Sequence, residues 1–212
     1  MIGVFGGTFD PVHYGHLRPA LEVKQALGMR QVRFIPCHIP PHRGAPGASA
    51  SQRMTMLQLA LEGVPGFVAD ERELVRGGPS FMVDTLLSLR EEQGDEPMAL
   101  MLGQDAFARL DTWHQWPRLL TLAHIVVARR PGGALPVSGP VADLLACHRA
   151  RESAQLQTRP SGKIWTQDVT QLDISATTIR AGVKDKGGCR FLTPEPVREY
   201  VEAHGLYLTT SN

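Results

Sequence analysis

The sequence predicts a doubly wound α/β fold: a mostly parallel sheet flanked by helices, with a small C-terminal helical portion. Three observations lead to this prediction. Short apolar runs alternate with amphipathic stretches along the chain, which is typical of strands joined by helical crossovers. The run at residues 98–102 is continuously apolar, as expected for a parallel strand covered on both faces. The first run leads through a glycine-rich turn into an amphipathic stretch.

Each predicted element rests on a local pattern. Apolar runs predict strands at residues 2–5, 32–36, 67–69, 98–102, 124–128 and 163–166, with a polar continuation of the third strand over 71–75. Helical spacing and capping residues predict helices before Gly28, from Ser51, from 77–80, from Asp111 or Thr112, over 141–150, from Ser175, and from Thr193 to Gly205. No repeat or linker interrupts this alternation, so we expect a single domain over residues 1–212.

The turn after the first strand is the clearest candidate site. Residues 6–16 read GGTFDPVHYGH, so backbone amides and a helix start follow a strand, an arrangement that favours a bound anion. His13 and His16 lie at that helix start. Neither a Walker phosphate loop nor a G-x-G-x-x-G motif is present. We therefore expect amides and imidazoles to hold phosphate here.

Later residues belong to the same edge of the predicted sheet. Asp105 follows the fourth predicted strand and Arg130 the fifth, and open α/β sheets bind ligands outside the carboxyl ends of their strands. Ser175 and Thr177 lie at a helix start, with Arg180 one turn later. An ordinary helix cap and solvent-exposed arginines are the alternatives for these positions.

Two motifs carry a resemblance to a known family. Residues 6–16 resemble the first signature of the nucleotidyltransferase superfamily, G-x-F-D-P-x-H-x-G-H, and residues 174–180 read ISATTIR, similar to its second signature, I-S-x-T-x-I-R. The motifs occur in the expected order and about a domain apart, which makes the pair far more specific than either alone. The whole chain resembles the bacterial nicotinate mononucleotide adenylyltransferases.

The resemblance implies transfer of an adenylyl group from ATP to nicotinate mononucleotide, giving nicotinate adenine dinucleotide and pyrophosphate for NAD biosynthesis. It implies direct in-line attack, with His13, His16 and Arg180 as the catalytic residues and His16 nearest the α-phosphate. The implied ATP-binding residues are Gly6, Gly7, Thr8, Phe9, Gly15, Gly103, Asp105, Ser175 and Thr177. Mg²⁺ is expected to arrive with ATP, so no residue is assigned as a metal ligand.

For the mononucleotide, the implied binding residues are His42, Arg43, Met82, Trp113, His114 and Arg130. Trp113 is expected to stack on the pyridine ring, and the loop around His42 and Arg43 to close over the acceptor. The sequence departs from the family pattern in two places. Residues 37–38 are Cys-His where relatives carry asparagines, and residues 81–82 are Phe-Met where they commonly carry Tyr-Thr.

Two alternatives remain open. The first alternative lies within the superfamily: an enzyme whose acceptor is nicotinamide mononucleotide or phosphopantetheine instead of nicotinate mononucleotide. The second alternative is a different class of protein, a non-catalytic nucleotide-binding sensor. The presence of both histidines and Arg180 argues against it. A dehydrogenase is disfavoured, because residues 36–38 read PCH and offer no acidic residue for a ribose diol.

Composition bears on the binding partners and the cellular location that we expect. The net charge of +1 argues against a general polyanion-binding surface, so we expect no nucleic-acid partner. The three cysteines fit neither a disulfide framework nor a zinc site. We see no charged-then-apolar leader and no apolar run of membrane-spanning length. We therefore expect a cytoplasmic protein without a membrane partner, and a homo-oligomer stays open.

Overall fold

The sheet is parallel throughout. The computed structural model describes residues 1–40, 44–130, 132–170, 172–185 and 187–208. Within these ranges the strands are β1 (Ile2–Gly7), β2 (Gln31–Pro36), β3 (Phe67–Ala69), β4 (Met98–Gly103), β5 (His124–Arg129) and β6 (Ile164–Asp168). They lie in the order β3-β2-β1-β4-β5-β6, and every neighbouring pair is parallel. The predicted doubly wound, Rossmann-like α/β fold is confirmed.

Helices cover both faces of the sheet. Those in the described ranges are α1 (Tyr14–Ala26), α2 (Ala50–Leu61), α3 (Arg72–Arg76), α4 (Met82–Gln93), α5 (Gln104–Ala108), α6 (Trp116–Leu122), α7 (Pro140–His148), α8 (Ala176–Lys184) and α9 (Glu195–Ala203). Val23, Leu57 and Val197 bury the apolar sides of α1, α2 and α9 in one core. Leu86 and Leu119 place α4 and α6 in the core on the other face. The chain therefore has a covered sheet, as its apolar strands predict.

The direction of winding reverses between β1 and β4. The chain leaves β1 for β2 and β3, and then crosses back to β4 on the other side of β1. Such a reversal opens a crevice at the carboxyl ends of the two strands, which is where doubly wound sheets bind ligands. The register places Gly7 beside Pro36 and Gly103 beside Ala128. The loops that follow these residues therefore border the crevice.

The prediction for residues 71–75 is wrong. These residues do not continue β3, because Arg72–Arg76 forms the short helix α3. The carboxylate of Asp70 accepts hydrogen bonds from the Arg72 amide at 3.1 Å and from the Arg72 Nε at 3.0 Å. This local pairing of an aspartate with the amide two residues on competes with the strand and turns the backbone into the helix.

Two helix caps also differ from the prediction. Ser49, not Ser51, caps α2: its hydroxyl accepts from the Gln52 amide at 3.2 Å, and the Gln52 side chain accepts from the Ser49 amide at 2.9 Å. This reciprocal pair is a capping box. Thr193 is not the cap of α9, since its hydroxyl donates to the Val12 carbonyl at 2.8 Å. That bond fastens the C-terminal portion to the first loop.

The C-terminal helical portion is confirmed. α9 packs against α2, and the amide of Tyr14 donates to the carbonyl of Leu192 at 3.1 Å. The start of α1 is thus covered by the segment that leads into α9. Within the described ranges, no helix combines the length and the apolar character that a membrane span requires.

Candidate active site

His13 and His16 form a stacked pair at the start of α1. Their ring centroids lie 3.7 Å apart with 27° between the ring planes. The His13 amide donates to Nδ1 of His16 at 3.3 Å. Gly15 permits this packing, because a Cβ there would lie 2.9 Å from Nδ1 of His13 and 3.0 Å from the carbonyl oxygen of Ile174. The same glycine therefore lets the second motif approach the histidine pair.

The orientation of the His16 ring is set by its surroundings. Since Nδ1 accepts a hydrogen bond, the proton of a neutral imidazole resides on Nε2. The rings of Phe5 and Phe9 meet the imidazole edge-on, at centroid distances of 6.3 and 5.1 Å. Phe9 is only 1% exposed. Its side chain therefore supports His16 from the core and does not line the site surface.

His13 is buried at the bottom of the site. Burial lowers the pKa of His13 from 6.5 to about 4, so the ring is neutral at pH 7. Its Nδ1 is buried and has no hydrogen-bond partner among the described residues. Buried polar atoms are normally paired. This nitrogen faces Gly15, where an added Cβ would lie 2.9 Å from it.

The second motif meets the first through Arg180. The Ser175 hydroxyl accepts from the Thr178 amide at 3.0 Å, so Ser175 caps α8, which is the alternative given above for this position. Nη1 of Arg180 donates to the backbone carbonyl of Asp10 at 2.7 Å. Nη2 donates to the Thr177 hydroxyl at 3.4 Å. The two motifs, far apart in sequence, therefore form one site.

The carboxylate of Asp10 joins further segments to this site. Asp10 is 4% exposed and accepts hydrogen bonds from the amides of Gly47 and Ala48, at 2.7 and 3.0 Å, and from the Tyr207 hydroxyl at 2.8 Å. Nη1 of Arg180 lies 3.7 Å from its Oδ2. Asp10 thus connects the first motif with the loop before α2, the second motif and the C-terminal segment.

Arg53, on α2, is a buried cation below the first loop. It is 1% exposed, and its guanidinium donates to the carbonyls of Thr8 at 2.8 Å, His38 at 3.3 Å and Ala48 at 3.3 Å. No carboxylate of the described residues lies within ion-pair distance of it. Electrostatic interactions are stronger in the low dielectric of a protein interior than in water. Arg53 therefore contributes positive potential below the loop where an anion is expected.

Predicted acceptor residues lie on the other side of the crevice. Met82 begins α4, and its Cε lies 2.5 Å from where a Cβ on Gly6 would be, so it packs over the end of β1. The His114 ring lies 4.4 Å from the Phe81 ring. Trp113 is partly buried and packs on the same core as Phe81. The structure therefore places Met82 and His114 at the N-terminal end of α4, and Trp113 is the neighbour of His114 in the chain.

The stretch before Trp113 differs from the prediction. Leu110–Thr112 forms a 3₁₀ turn, and α6 is capped by Gln115, whose φ of 51° is left-handed. Neither Asp111 nor Thr112 caps a following helix. The Trp113 amide donates to the carbonyl of the first residue of that turn at 3.0 Å. This amide is therefore already used within the protein.

The Cys-His departure at residues 37–38 is accommodated by internal contacts. The His38 amide donates to the Ser80 hydroxyl at 2.8 Å, and its Nδ1 lies 3.2 Å from the Gly78 carbonyl. The Ser80 amide donates to the Ile39 carbonyl at 3.0 Å. Burial raises the pKa of the Cys37 thiol. These bonds tie the loop after β2 to the loop before α4.

The remaining predicted residues border the crevice or lie outside the described part of the chain. Gly103 and Asp105 are exposed where β4 passes into α5, and Arg130 is exposed directly after β5. His42 and Arg43 lie outside the described residues. Among the residues described, no group of three or more His, Cys, Asp or Glu side chains has the arrangement of a metal site.

Three residues of this site escape a reading of the sequence. Arg53 and Tyr207 carry no motif, and their roles come from contacts between distant segments. Asp10 belongs to the first motif, but its role as the acceptor for three donors depends on the fold. An arginine in the middle of an otherwise apolar helix face is the signal that was available for Arg53.

The fold and the joined motifs define a nucleotidyltransferase. The model of the cytidylyltransferase-like family matches residues 4–182, from the first strand into α8. A probable nicotinate-nucleotide adenylyltransferase of Methylococcus capsulatus is 48% identical over 208 residues, covering 98% of this chain and 99% of the relative. That of Aeromonas hydrophila subsp. hydrophila is 46% identical over 206 residues, covering 97% and 96%. The chain belongs to the cytidylyltransferase-like family and, within it, to the nicotinate-nucleotide adenylyltransferase family of these relatives.

Solved structures support the fold at greater distance. A Plasmodium falciparum nicotinic acid mononucleotide adenylyltransferase complexed with NaAD has a TM-score of 0.68 and 13% identity, covering 100% of this chain and 98% of that one. The same Plasmodium enzyme complexed with APC has a TM-score of 0.70, with the same identity and coverage. At this identity the likeness concerns the fold alone. The family resemblance of the sequence is confirmed.

The buried His13 should make stability depend on pH. Its folded pKa of about 4 is below the ordinary 6.5, so between these values the unfolded chain binds a proton that the folded chain does not. Stability therefore falls as the pH drops from 6.5 to 4, and this contribution is constant below 4. Between pH 7 and pH 5 the loss from His13 is about 2 kcal/mol.

Urea unfolding of wild type and His13→Gln at pH 7 and pH 5 measures this contribution. The variant should lose about 2 kcal/mol less than wild type between the two pH values, because its side chain does not titrate. His204→Gln changes an exposed histidine and should keep the wild-type dependence. The same pH dependence in wild type and His13→Gln would contradict a buried, neutral His13.

Proposed function

We propose that this chain transfers the adenylyl group of ATP to nicotinate mononucleotide, giving nicotinate adenine dinucleotide and pyrophosphate for NAD biosynthesis. The observation that carries the proposal is the junction of the two motifs. Arg180 donates to the Asp10 carbonyl at 2.7 Å, beside a histidine pair stacked at 3.7 Å. Relatives 46–48% identical over almost the whole chain are named probable nicotinate-nucleotide adenylyltransferases. They support this choice of substrates.

The reaction needs positioning and charge stabilisation more than proton transfer. A phosphate oxygen of the acceptor forms a bond to the α-phosphorus, while the bond from that phosphorus to the bridging oxygen breaks. Pyrophosphate leaves with the electron pair. The acceptor phosphate is largely ionised at pH 7, so no general base is required. The obstacle is the approach of two polyanions, which fixed donors and positive groups lower.

His16 is the residue we assign to the charge that develops at the α-phosphate. Its Nδ1 accepts from the His13 amide, which leaves Nε2–H as the donor of the neutral ring. Two charged rings 3.7 Å apart would repel each other. A neutral His13, whose pKa is about 4, avoids that repulsion, and the Nε2–H of His16 is the donor we assign to the α-phosphate.

The other ATP contacts follow from the elements around the crevice. Ser175 caps α8, and Thr177 and Arg180 lie in the first half of that helix beside the first loop. A helix start with hydroxyl and guanidinium donors suits the β- and γ-phosphates. Gly103 ends β4, the neighbour of β1, and Asp105 follows it in α5, which suits the adenosine ribose. The amides of residues 6–9 and 15 complete the phosphate site in this proposal.

Mg²⁺ enters this proposal as part of the MgATP substrate. The predicted ATP site contributes imidazoles, hydroxyls, amides and a guanidinium, which bind phosphate oxygens and are poor ligands for a hard divalent cation. Asp105 is the one carboxylate among the predicted ATP residues. The ion would neutralise part of the negative charge of the triphosphate, and positively charged protein residues would neutralise a further part.

On the acceptor side, we propose that Trp113 stacks on the pyridine ring. Met82 and His114 would lie around it, and His42, Arg43 and Arg130 near the phosphate. A nicotinate carboxylate gains more from N–H donors than a carboxamide does, because charge-assisted hydrogen bonds are the stronger ones. Since the Trp113 amide is bonded within the protein, we place the donors at the next residues, toward α6.

The free thiols of Cys37, Cys147 and Cys189 suit a reducing cytoplasm.

Substrate choice should be visible in a panel of acceptors. With ATP and nicotinate mononucleotide the protein should release pyrophosphate and form the dinucleotide. Nicotinamide mononucleotide should have a kcat/KM lower by roughly 10-fold or more, as expected for the loss of a hydrogen bond to a charged group. Phosphopantetheine should give no product. Trp113→Ala should lose efficiency with both mononucleotides, because stacking is common to the two.

Equal efficiencies with the acid and the amide would contradict the assigned specificity and indicate a dual-specificity enzyme. Nucleotide binding without turnover of any acceptor would favour the sensor alternative. Another tryptophan, Trp165, cannot serve as the control for Trp113→Ala, because Trp165 packs against the core. Thr158→Ala, at an exposed position far from the crevice, is the matched surface control and should keep wild-type kinetics.

His16→Ala should lower kcat by roughly 10²-fold or more, with a smaller change in the KM of either substrate. This is the pattern of a contact made mainly in the transition state. Steady-state kinetics with both substrates varied measures it, and His204→Ala, on the exposed end of the chain, is the control. A kcat within a few-fold of wild type would remove His16 from the mechanism.

A further inference from the structure

The C-terminal segment reaches back to the first motif through Tyr207. This residue follows α9 and has a φ of 66°, a left-handed conformation that costs free energy in a residue with a side chain. Its hydroxyl donates to Oδ1 of Asp10 at 2.8 Å. Its ring lies against Gly47, where an added Cβ would be 3.1 Å from two ring carbons. The side chain is thus fitted both to a carboxylate and to a loop backbone.

The Tyr207 hydroxyl acts as a donor at every working pH. Burial raises the pKa of Tyr207 well above its usual range, and the neighbouring negative charge of Asp10 raises it further. The phenol therefore keeps its proton and cannot repel the carboxylate. A neutral donor on Oδ1 complements the two amide donors from Gly47 and Ala48, so the buried carboxylate has three protein donors.

The loop that Asp10 holds is the acceptor loop, residues 37–48, which contains the predicted acceptor residues His42 and Arg43. Its first part is fixed by the bonds of His38 to residues 78 and 80 and by Arg53. Its last part is fixed by the bonds of Gly47 and Ala48 to Asp10. The same Asp10 accepts a bond from Arg180 at its backbone carbonyl. Asp10 thus joins the Gly47–Ala48 end of this loop to the second motif.

We propose that Tyr207 is a positioning residue for acceptor binding: it orients the Asp10 carboxylate and thereby fixes the Gly47–Ala48 end of the acceptor loop. The proposal rests on the proposed function, since it gives a role to the C-terminal segment in binding the mononucleotide. Tyr207 touches the loop and Asp10 and needs no contact with either substrate. The effect should therefore fall on the affinity for the acceptor more than on the chemical step.

Tyr207→Phe removes the hydroxyl and keeps the ring on Gly47. We expect the KM for nicotinate mononucleotide to rise by about tenfold, with the KM for ATP and the kcat within about twofold of wild type. Tyr200→Phe is the matched control: it removes a hydroxyl from α9, where the ring stacks on His204 at 4.0 Å, and should change none of these constants. A Tyr207→Phe enzyme with an unchanged acceptor KM, or with both KM values raised equally, overturns the proposal.

Amide hydrogen exchange provides a readout that does not depend on turnover. In Tyr207→Phe, without substrates, the amides of Gly47 and Ala48 should exchange several-fold faster than in wild type. The Gln52 amide, which is bonded to Ser49, should be unchanged. If wild type fails to convert the mononucleotide but the exchange difference is present, the proposed function fails and the tether stands. If the exchange rates of Gly47 and Ala48 are equal in the two proteins, the tether fails whatever the activity.

Discussion

The buried carboxylate of Asp10 is the interaction on which this site depends. A buried charge is costly unless it is paired and hydrogen-bonded, and here two amides and a phenol satisfy it, with a guanidinium nearby. These donors come from the loop before α2, the second motif and the C-terminal segment. Satisfying one carboxylate therefore fixes three separate parts of the chain against the first loop. The geometry at the crevice is a consequence of that requirement.

Charge around the crevice is arranged for polyanions without a dedicated metal site among the described residues. Arg53 lies below the first loop and donates to backbone carbonyls. Arg180 lies beside the same loop, where it donates to the Asp10 carbonyl. His13 stays neutral because it is buried, so the stacked pair does not carry two like charges. Fixed positive groups that need no reorganisation during the reaction are the means by which such sites stabilise transition-state charge.

Much of this could be predicted from the sequence, and the failures have physical causes. The strands, the covered sheet and the Ser175 cap follow from apolar runs and local capping chemistry, which act over a few residues. Residues 71–75 were mispredicted because the bond of Asp70 to a nearby amide outweighs strand propensity. The roles of Arg53 and Tyr207 depend on contacts between segments distant in sequence, for which no local pattern exists. The site residues named from the two motifs stay predictions about roles, although the structure brings Arg180 and the first loop together.

Direct transfer is the central claim, because a site that positions two anions has no need of a covalent intermediate. No Ser, Cys or Lys in the two motifs has an adjacent base of the kind that covalent catalysis uses. The most direct test uses ATP that is chiral at the α-phosphorus, with nicotinate mononucleotide as the acceptor and the configuration of the dinucleotide product determined by NMR. A single in-line displacement predicts inversion at phosphorus. Retention would indicate two successive displacements through an adenylyl-enzyme and would contradict this account of the site.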